Sequence, residues 1–131
     1  MKFTRRERDC IEDIAYAKST TLTNLSNALK VRAPTAYSLV QRLVKKQVIK
    51  KDENNLITLT KFGRKCASDI MFKHRVFETL LAKNGVPLDA ACKECRKIDF
   101  MLSDTVAMEI FSKLNAPSRC PHGKPIRASF G

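Results

Sequence analysis

The feature of the sequence that most constrains its fold is a proline-started helix followed directly by a β-hairpin in residues 33–59. Pro34 fits the first turn of a helix, where its missing N–H is not needed. The apolar face of this helix consists of Leu39, Val40, Leu43 and Val44. Residues 48–51 are predicted to form a strand, 52–55 a turn and 56–59 a returning antiparallel strand. The pattern therefore predicts an exposed helix beside a short hairpin.

Two further helices are predicted ahead of this segment. Thr4 and Glu7 have the spacing of a capping box, which starts the first helix. Apolar residues recur at helical spacing in both helices: Cys10, Ile11, Ile14 and Ala15, then Leu22, Leu25, Ala28 and Leu29. The order helix, short helix, exposed helix and hairpin is that of a winged helix-turn-helix, which we expect over residues 1–72.

The remainder of the chain, residues 73–131, is predicted to be a helical dimerisation and metal-sensing domain. Three helices are expected at about 60–83, 89–102 and 103–117. The apolar stripe of the long first helix is Phe62, Cys66, Ile70, Phe77 and Leu81. Three amphipathic helices are too few to bury their own apolar faces, so a homodimer is predicted. The expected fold is mostly α with a small β-hairpin wing.

The charge distribution favours a nucleic-acid partner. The formal net charge is +12, and residues 1–75 hold 17 basic and 7 acidic residues, against 8 and 6 in residues 76–131. A domain this basic suits a polyanion such as the DNA backbone. No apolar run approaches the ~20 residues that cross a bilayer, and residues 1–6 do not resemble a secretory signal. We therefore expect a cytoplasmic protein without a membrane partner.

Double-stranded DNA would meet the exposed helix and the basic hairpin. Small polar groups and an arginine on the outer face suit a reader of the major groove. The residues expected at or near DNA are Arg32, Pro34, Thr35, Tyr37, Ser38, Gln41, Arg42, Lys46, Lys50 and Lys51. Gln41 and Arg42 are the favoured polar contacts, to bases or to phosphates.

Five cysteines suggest metal, cluster or redox chemistry rather than disulfides in a cytosolic chain: Cys10, Cys66, Cys92, Cys95 and Cys120. Cys92 and Cys95 are three residues apart, so on a helix both thiols can face one centre. The competing interpretation is that these are small core residues, which is favoured for Cys66. A thiol redox enzyme is disfavoured because such pairs normally start a helix in a βαβ unit. We expect neither an enzyme nor a small-molecule substrate.

Five local patterns, taken together, resemble the diphtheria-toxin-repressor family of iron- and manganese-dependent repressors. These patterns are Ala33-Pro34-Thr35-Ala36-Tyr37-Ser38, Leu59-Thr60-Lys61-Phe62-Gly63-Arg64, Lys73-His74-Arg75 with Glu78, Leu102-Ser103-Asp104 and Cys120-Pro121-His122-Gly123-Lys124-Pro125-Ile126. They occur in the family's order and span nearly the whole chain. The resemblance is to the two-domain type, which lacks an SH3-like third domain.

The resemblance implies two neighbouring metal sites. At the first, Cys10 and Asp13 would lie on helix 1, and the family's other ligand positions fall at Arg96, Asp99 and Phe100. Since only Asp99 of those three could bind a cation, we expect the ordinary first site to be absent. The residues implied for the second site are His74, Glu78 and Cys92, and in some members Cys120 and His122. Cys95 would add another thiol.

The resemblance and the thiols together imply a transcriptional regulator that responds to a metal or an iron–sulfur cluster. Thiolate-rich sites favour an iron–sulfur cluster or Fe(II), with Zn(II) as an alternative and Mn(II) less favoured. The expected protein is a homodimeric repressor of iron or metal homeostasis genes that binds a palindromic operator. The alternative is a constitutive winged-helix protein with structural zinc at Cys92, Cys95, Cys120 and His122.

Overall fold

The computed structural model describes residues 2–127 and Phe130. The described residues form six helices and one two-stranded antiparallel sheet, which confirms the mostly helical fold with a hairpin. In chain order the elements are α1 Arg5–Ala17, α2 Leu22–Leu29, α3 Ala33–Lys45, β1 Ile49–Lys51, β2 Ile57–Leu59, α4 Lys61–Lys83, α5 Leu88–Ile98 and α6 Asp104–Lys113. None of these helices is both long and apolar enough to cross a membrane.

The described residues divide into two compact units. Residues 4–67 with Phe130 form the first, here called the winged-helix unit, and residues 68–127 with Lys2 and Phe3 form the second, the C-terminal unit. Helix α4 contributes to both. The predicted boundary after residue 72 lies five residues beyond this division, within the same helix.

The start of the winged-helix unit follows its local sequence signals. The hydroxyl of Thr4 accepts a hydrogen bond from the Glu7 amide at 3.1 Å, and a Glu7 carboxylate oxygen accepts one from the Thr4 amide at 2.9 Å. This reciprocal pair is the predicted capping box. Behind it, Ile11 and Ile14 are buried with Cys10 on one face of α1. The Thr21 hydroxyl caps α2 by accepting a hydrogen bond from the Asn24 amide.

Helix α3 begins where the proline predicts, with Arg32 at its N-cap. Its buried face is Ala36, Leu39, Val40 and Leu43. Val44, expected on that face, is 39% exposed, because the buried stripe begins one turn earlier, at Ala36, and ends at Leu43. In the hairpin, Ile49 pairs with Leu59 and Lys51 with Ile57. An Asp52 carboxylate oxygen accepts from two amides of the turn and thereby closes it.

The segment that joins the hairpin to α4 is fixed by contacts with the carbonyl of Val48. That oxygen accepts the Thr60 amide at 2.9 Å, and the Thr60 hydroxyl lies 3.1 Å from it. The same hydroxyl accepts the Gly63 amide at 2.9 Å, so Thr60 caps α4 as predicted. A Cβ on Gly63 would lie 1.9 Å from the Val48 oxygen. Only glycine therefore permits this close approach.

The C-terminal unit differs from the sequence prediction in the length of α5. This helix ends at Ile98, four residues before the predicted end at residue 102. The backbone turns at Met101, whose amide donates to Ile98 at 2.9 Å. It must leave the helix there because Ser103 adopts an extended conformation to cap α6. On α4, Ile70 is buried as predicted, whereas Phe62 is 42% exposed.

The tail, predicted to be irregular, is a folded loop that we call the C-terminal hairpin (residues 118–127). The Cys120 amide donates to the Lys124 carbonyl at 2.8 Å, and the Ile126 amide donates to Ser118 at 3.0 Å. The buried core of the unit is Val76, Phe111, Leu114, Cys120 and Ile126. The hairpin thus supplies two residues to the core, and its position on α4 is set by packing.

A buried carboxylate connects α3 to the start of α1 within the winged-helix unit. Lys46 donates to both oxygens of Glu7, at 3.0 and 2.9 Å, and Arg42 lies 3.8 Å from the same carboxylate. Burial by itself raises the pKa of Glu7, but the hydrogen bonds from Lys46 and Thr4 outweigh it and lower this pKa below its ordinary 4.5. The carboxylate therefore remains charged when buried.

Replacing Lys46 by Met should lower the free energy of unfolding by about 1–2 kcal/mol at neutral pH, because the buried Glu7 carboxylate would lose its closest cation. A carboxyl whose pKa falls on folding stabilises the fold above its unfolded pKa, and this contribution is lost as pH falls through the folded pKa. The difference between wild type and variant should therefore shrink below about pH 4. Urea unfolding measures this difference in the free energy of unfolding between wild type and variant. Lys45→Met, at an exposed neighbour, is the control, and equal stability of the two variants would contradict the prediction.

Candidate metal centre and nucleic-acid interface

Helix α4 supplies the first two side chains of the candidate metal centre. His74 and Glu78 are one helical turn apart and both are buried in the C-terminal unit. A Glu78 carboxylate oxygen (Oε2) lies 3.3 Å from Nε2 of the His74 ring. The sulfur of Cys92, from α5, lies 3.6 Å from the same Nε2. The ligand atoms of these three residues all lie within 4.8 Å of one another.

Asp99 fixes the orientation of the His74 ring. Its carboxylate is fully buried and lies 2.9 Å from Nδ1 of His74. With the proton on Nδ1, the lone pair of Nε2 faces Glu78 and Cys92. A carboxylate behind a ligating imidazole is the usual arrangement around protein-bound metals, since it fixes the tautomer and increases the basicity of the ligand. Asp99, expected as a ligand, lies behind His74 in this arrangement.

The C-terminal hairpin brings a second pair of donors to Glu78. Nδ1 of His122 lies 2.6 Å from the other carboxylate oxygen (Oε1) of Glu78. Cys120 is buried beside them, and the ligand atoms of these three residues also lie within 4.8 Å of one another. Gly123, at a φ of 80°, makes the turn, and its amide donates to the Cys120 carbonyl at 2.8 Å. The hairpin therefore presents Cys120 and His122 as a preformed pair.

The donor sets in both groups suit a transition-metal ion. Each group combines one thiol, one imidazole and one carboxylate, which are the usual ligands of divalent zinc and iron. Hard cations such as Mg²⁺ prefer sets made only of oxygen atoms. The residues present therefore fit a divalent transition metal.

Cys95, predicted to act with Cys92, points elsewhere. Among the described residues it joins neither group, and it is fully buried. Burial, with the nearby negative charges of Glu78 and Asp99, raises the pKa of the Cys95 thiol to about 12. Residues three apart on a helix differ in direction by about 60°, so Cys92 faces His74 while Cys95 enters the core.

Cys10 in the winged-helix unit is buried to the same extent as Cys95. It is fully buried on α1, and burial, with the charges of Asp13, Glu7 and Asp9, raises the pKa of its thiol to about 12. Burial also raises the pKa of Asp13. Neither residue belongs to a metal-competent group within the described part of the chain.

Sequence reasoning missed the role of Arg75. This arginine is buried, and its guanidinium donates to the Pro125 carbonyl at 2.6 Å, which fastens the C-terminal hairpin to α4. The sequence signal for a role of Arg75 was its place in the Lys73-His74-Arg75 pattern. The partner could not be inferred because it lies 50 residues away in the chain.

The residues predicted to contact DNA lie mostly on the surface. All of them except Lys46 are exposed: Arg32, Pro34, Thr35, Tyr37, Ser38, Gln41, Arg42, Lys50 and Lys51. Lys46 is only partly exposed and is bound to Glu7, so its charge is largely neutralised within the unit. The Lys51 ammonium lies 5.6 Å from the centre of the Tyr37 ring, which connects β1 to the exposed face of α3.

Comparison with known protein families finds a match to the second half of the chain. Residues 60–128 match the family model described as iron dependent repressor, metal binding and dimerisation domain. The chain belongs to the iron-dependent repressor family. The C-terminal unit and its Glu78-centred groups fall within the matched region.

Two relatives illustrate the similarity. An uncharacterised HTH-type transcriptional regulator of Aeropyrum pernix is 32% identical over 106 residues, which are 78% of this chain and 57% of that protein. The iron-dependent repressor IdeR of Mycobacterium leprae is 29% identical over 103 residues, covering 78% of this chain and 45% of the relative. The chain thus spans about half the length of the curated relatives it matches.

Solved structures share the fold over almost the whole chain. A hypothetical protein of Sulfolobus solfataricus superposes with a TM-score of 0.82 at 25% identity, covering 96% of this chain and 100% of that one. T. acidophilum IdeR gives 0.74 at 26% identity, covering 96% of this chain and 60% of that one. A manganese-dependent transcriptional repressor in complex with manganese gives a TM-score of 0.79 at 28% identity, covering 92% of this chain and 57% of that one. These neighbours confirm a winged helix with a helical second domain.

Alkylation should separate the core thiols from the site thiol. Iodoacetamide reacts with thiolates, so buried thiols with a pKa of about 12 should stay unmodified at about pH 8. In the folded, metal-free chain, Cys92 should be labelled while Cys10 and Cys95 are not. Peptide mass spectrometry reads the result, and labelling in guanidinium gives the reference. Equal labelling of Cys92 and Cys95 in the folded chain would refute this assignment.

Proposed function

We propose that the chain is a metal-responsive DNA-binding transcriptional repressor that acts as a homodimer on palindromic duplex operators. The observation that carries the proposal is a Glu78-centred group of thiol, imidazole and carboxylate donors in the same chain as a winged helix. The relatives named as iron-dependent repressors support a metal response. Genes of iron or metal homeostasis are the proposed targets, and the cytoplasm is the proposed compartment.

A divalent ion, Fe(II) or Zn(II), fits the proposed centre better than an iron–sulfur cluster. Such clusters usually take four cysteines, whereas the described groups bring only the thiols of Cys92 and Cys120 to Glu78. Mn(II) is less favoured because it prefers oxygen donors. A bound divalent ion would supply positive charge to donors that come from α4, α5 and the C-terminal hairpin. His74, Glu78, Cys92, Cys120 and His122 are the proposed ligands, with Asp99 holding the His74 ring.

The winged-helix unit is the proposed DNA reader. Its exposed α3 face carries Ser38 and Gln41, which can form hydrogen bonds with base edges. Lys50 and Lys51 on the hairpin supply charge for phosphates. Lys46 is assigned to the fold rather than to DNA because it is bound to the buried Glu7 carboxylate.

Exposed apolar side chains in the C-terminal unit support a homodimer. Leu88, Met101, Val106 and Met108 are between 39% and 66% exposed. Exposed apolar residues grouped on one unit often mark a protein interface. The matched family domain is described as one of dimerisation. A dimer would also present two reading heads to the two halves of a palindrome.

The alternative, a structural zinc at Cys92, Cys95, Cys120 and His122, is not favoured. Cys95 is buried with its thiol pKa raised to about 12, and within the described residues it lies outside both groups. A structural site would also need a closed set of four ligands. The described donors instead form two groups of three residues that share Glu78.

The function is tested by operator selection and binding. Duplexes selected from a random library with the Fe(II)-loaded chain should include a palindrome. By fluorescence anisotropy, the chain should bind this palindrome at least about tenfold more tightly with metal than after chelation. Gln41→Ala should weaken the interaction by about 1–3 kcal/mol, while Lys113→Ala, at an exposed residue of α6, should not. Equal affinity with and without metal would refute the metal response.

Asp99 should set metal affinity without being a ligand. Asp99→Asn keeps the size of the side chain but removes the charge behind His74, so the metal concentration for half-maximal operator binding should rise about 10–100-fold. Asp89→Asn, at an exposed position in the first turn of α5, is the matched control. Isothermal titration calorimetry measures the metal affinity, and fluorescence anisotropy measures the metal concentration for half-maximal operator binding. An unaltered metal requirement would show that Asp99 does not support the centre.

A further inference from the structure

The winged-helix unit contains a cavity that the proposed metal centre does not use, here called the basic cavity. Its volume is about 630 Å³. Small-molecule sites in proteins usually have volumes of about 300–1,000 Å³. The lining residues come from α1 and its C-cap, the β-hairpin, the start of α4 and the tail, all within the winged-helix unit: Ile14, Ala15, Lys18, Lys50, Thr58, Leu59, Arg64 and Phe130.

Three of the described residues that line the basic cavity are cations, and none is an acid. Lys18 and Lys50 are exposed, and within the described part of the chain neither ammonium takes part in an ion pair. The Arg64 guanidinium donates to the Leu59 carbonyl at 3.3 Å, which uses one of its five N–H donors. A cleft lined by charges of one sign attracts ions of the opposite sign. The basic cavity therefore favours an anion.

Most of the remaining wall of the basic cavity is apolar. Ile14, Ala15 and Leu59 are buried side chains of the unit's core. The Phe130 ring stands edge-on to the Tyr16 ring, with 5.4 Å between the ring centres. Ligand sites usually combine such an apolar wall with a few polar groups that orient the ligand. The wall therefore suits an anion with a hydrocarbon body better than a bare inorganic anion.

The backbone holds Lys18 in a fixed position at the basic cavity. Its φ of 69° lies in a region that residues other than glycine rarely adopt. Two constraints impose this conformation, since the Lys18 amide donates to the Ile14 carbonyl at 2.8 Å, and Thr20 pairs with Ile57 through backbone hydrogen bonds of 3.0 and 2.8 Å. Strained backbone of this kind is found preferentially at ligand and active sites. The Lys18 cation is thus placed at the cavity before any ligand binds.

We propose that the basic cavity binds an organic anion, a carboxylate or a phosphate monoester on a hydrocarbon body, and that the bound anion weakens DNA binding. Lys18, Lys50 and Arg64 hold the charged head, and the apolar wall holds the hydrocarbon. Lys50 is also a proposed contact for DNA phosphates, so the anion and the duplex compete for it. This second step rests on the proposed function, whereas binding of the anion does not.

Nuclear magnetic resonance of the full, ¹⁵N-labelled, metal-free chain tests the cavity without DNA. Octanoate and octyl phosphate should shift the amide signals of Ile14, Ala15, Thr58 and Leu59, and the tighter of the two identifies the preferred head group. 1-Octanol lacks the charge and acetate lacks the hydrocarbon, so each should bind at least about tenfold more weakly. Shifts confined to the C-terminal unit, or equal binding of octanol and octanoate, would overturn the proposal.

Lys18→Met separates the cavity from the DNA surface, because Lys18 is not among the proposed DNA contacts. This variant should bind octanoate about three- to tenfold more weakly than wild type, since one of three cations is lost. Lys65→Met, at an exposed neighbour of Arg64 that does not line the cavity, is the matched control and should bind octanoate as wild type does. Circular dichroism confirms that both variants are folded. Unchanged octanoate affinity in Lys18→Met contradicts the assignment.

Fluorescence anisotropy with the metal-loaded chain and the selected palindrome tests the competition. Saturating octanoate should weaken duplex binding by wild type about three- to tenfold relative to the same concentration of acetate, and the octanoate concentration needed should rise in Lys18→Met. Octanoate that binds in the cavity without changing duplex affinity overturns the competition. If octanoate does not bind and Lys18→Met instead weakens duplex binding, these cations belong to the DNA surface and the cavity proposal fails. If the metal-loaded chain binds no duplex, the proposed function fails, while the result from the metal-free chain still decides the cavity.

Discussion

The C-terminal unit depends on one buried carboxylate placed between two imidazoles. Glu78 contacts His74 at 3.3 Å and His122 at 2.6 Å, and burial of a carboxylate is unfavourable unless such partners are present. Those partners come from α4 itself and from the C-terminal hairpin, while α5 supplies Cys92 and its C-cap residue is Asp99. Three segments distant in sequence thus converge on one side chain, and a divalent ion bound there would supply positive charge beside the buried carboxylate.

The winged-helix unit uses a buried carboxylate for a different purpose. Glu7 caps α1 and binds Lys46, so the basic end of α3 is held against the first helix. This pairing engages the charge of Lys46 within the fold, so the proposed DNA contacts fall to the exposed residues of α3 and the hairpin lysines. Net charge alone overestimates the phosphate-binding surface, because some cations stabilise the fold.

Local signals in the sequence predicted most of the fold. The Thr4 capping box, Pro34 in the first turn of α3 and the Thr60 cap of α4 all lie where the sequence places them. The end of α5 was wrong because Ser103 must be extended to cap the next helix. The C-terminal hairpin was not recognised because its order comes from packing of Cys120 and Ile126 against α4 and α6.

The sequence by itself determined the family, the winged helix and the residue types able to bind a metal, since these depend on local spacing and composition. The tertiary structure decided which of those residues meet. It places Cys92 beside His74 and sends Cys95 into the core, because thiols three residues apart on a helix point in different directions. It also gives each oxygen of Glu78 its own partner, a relation between residues 44 positions apart that no local pattern encodes.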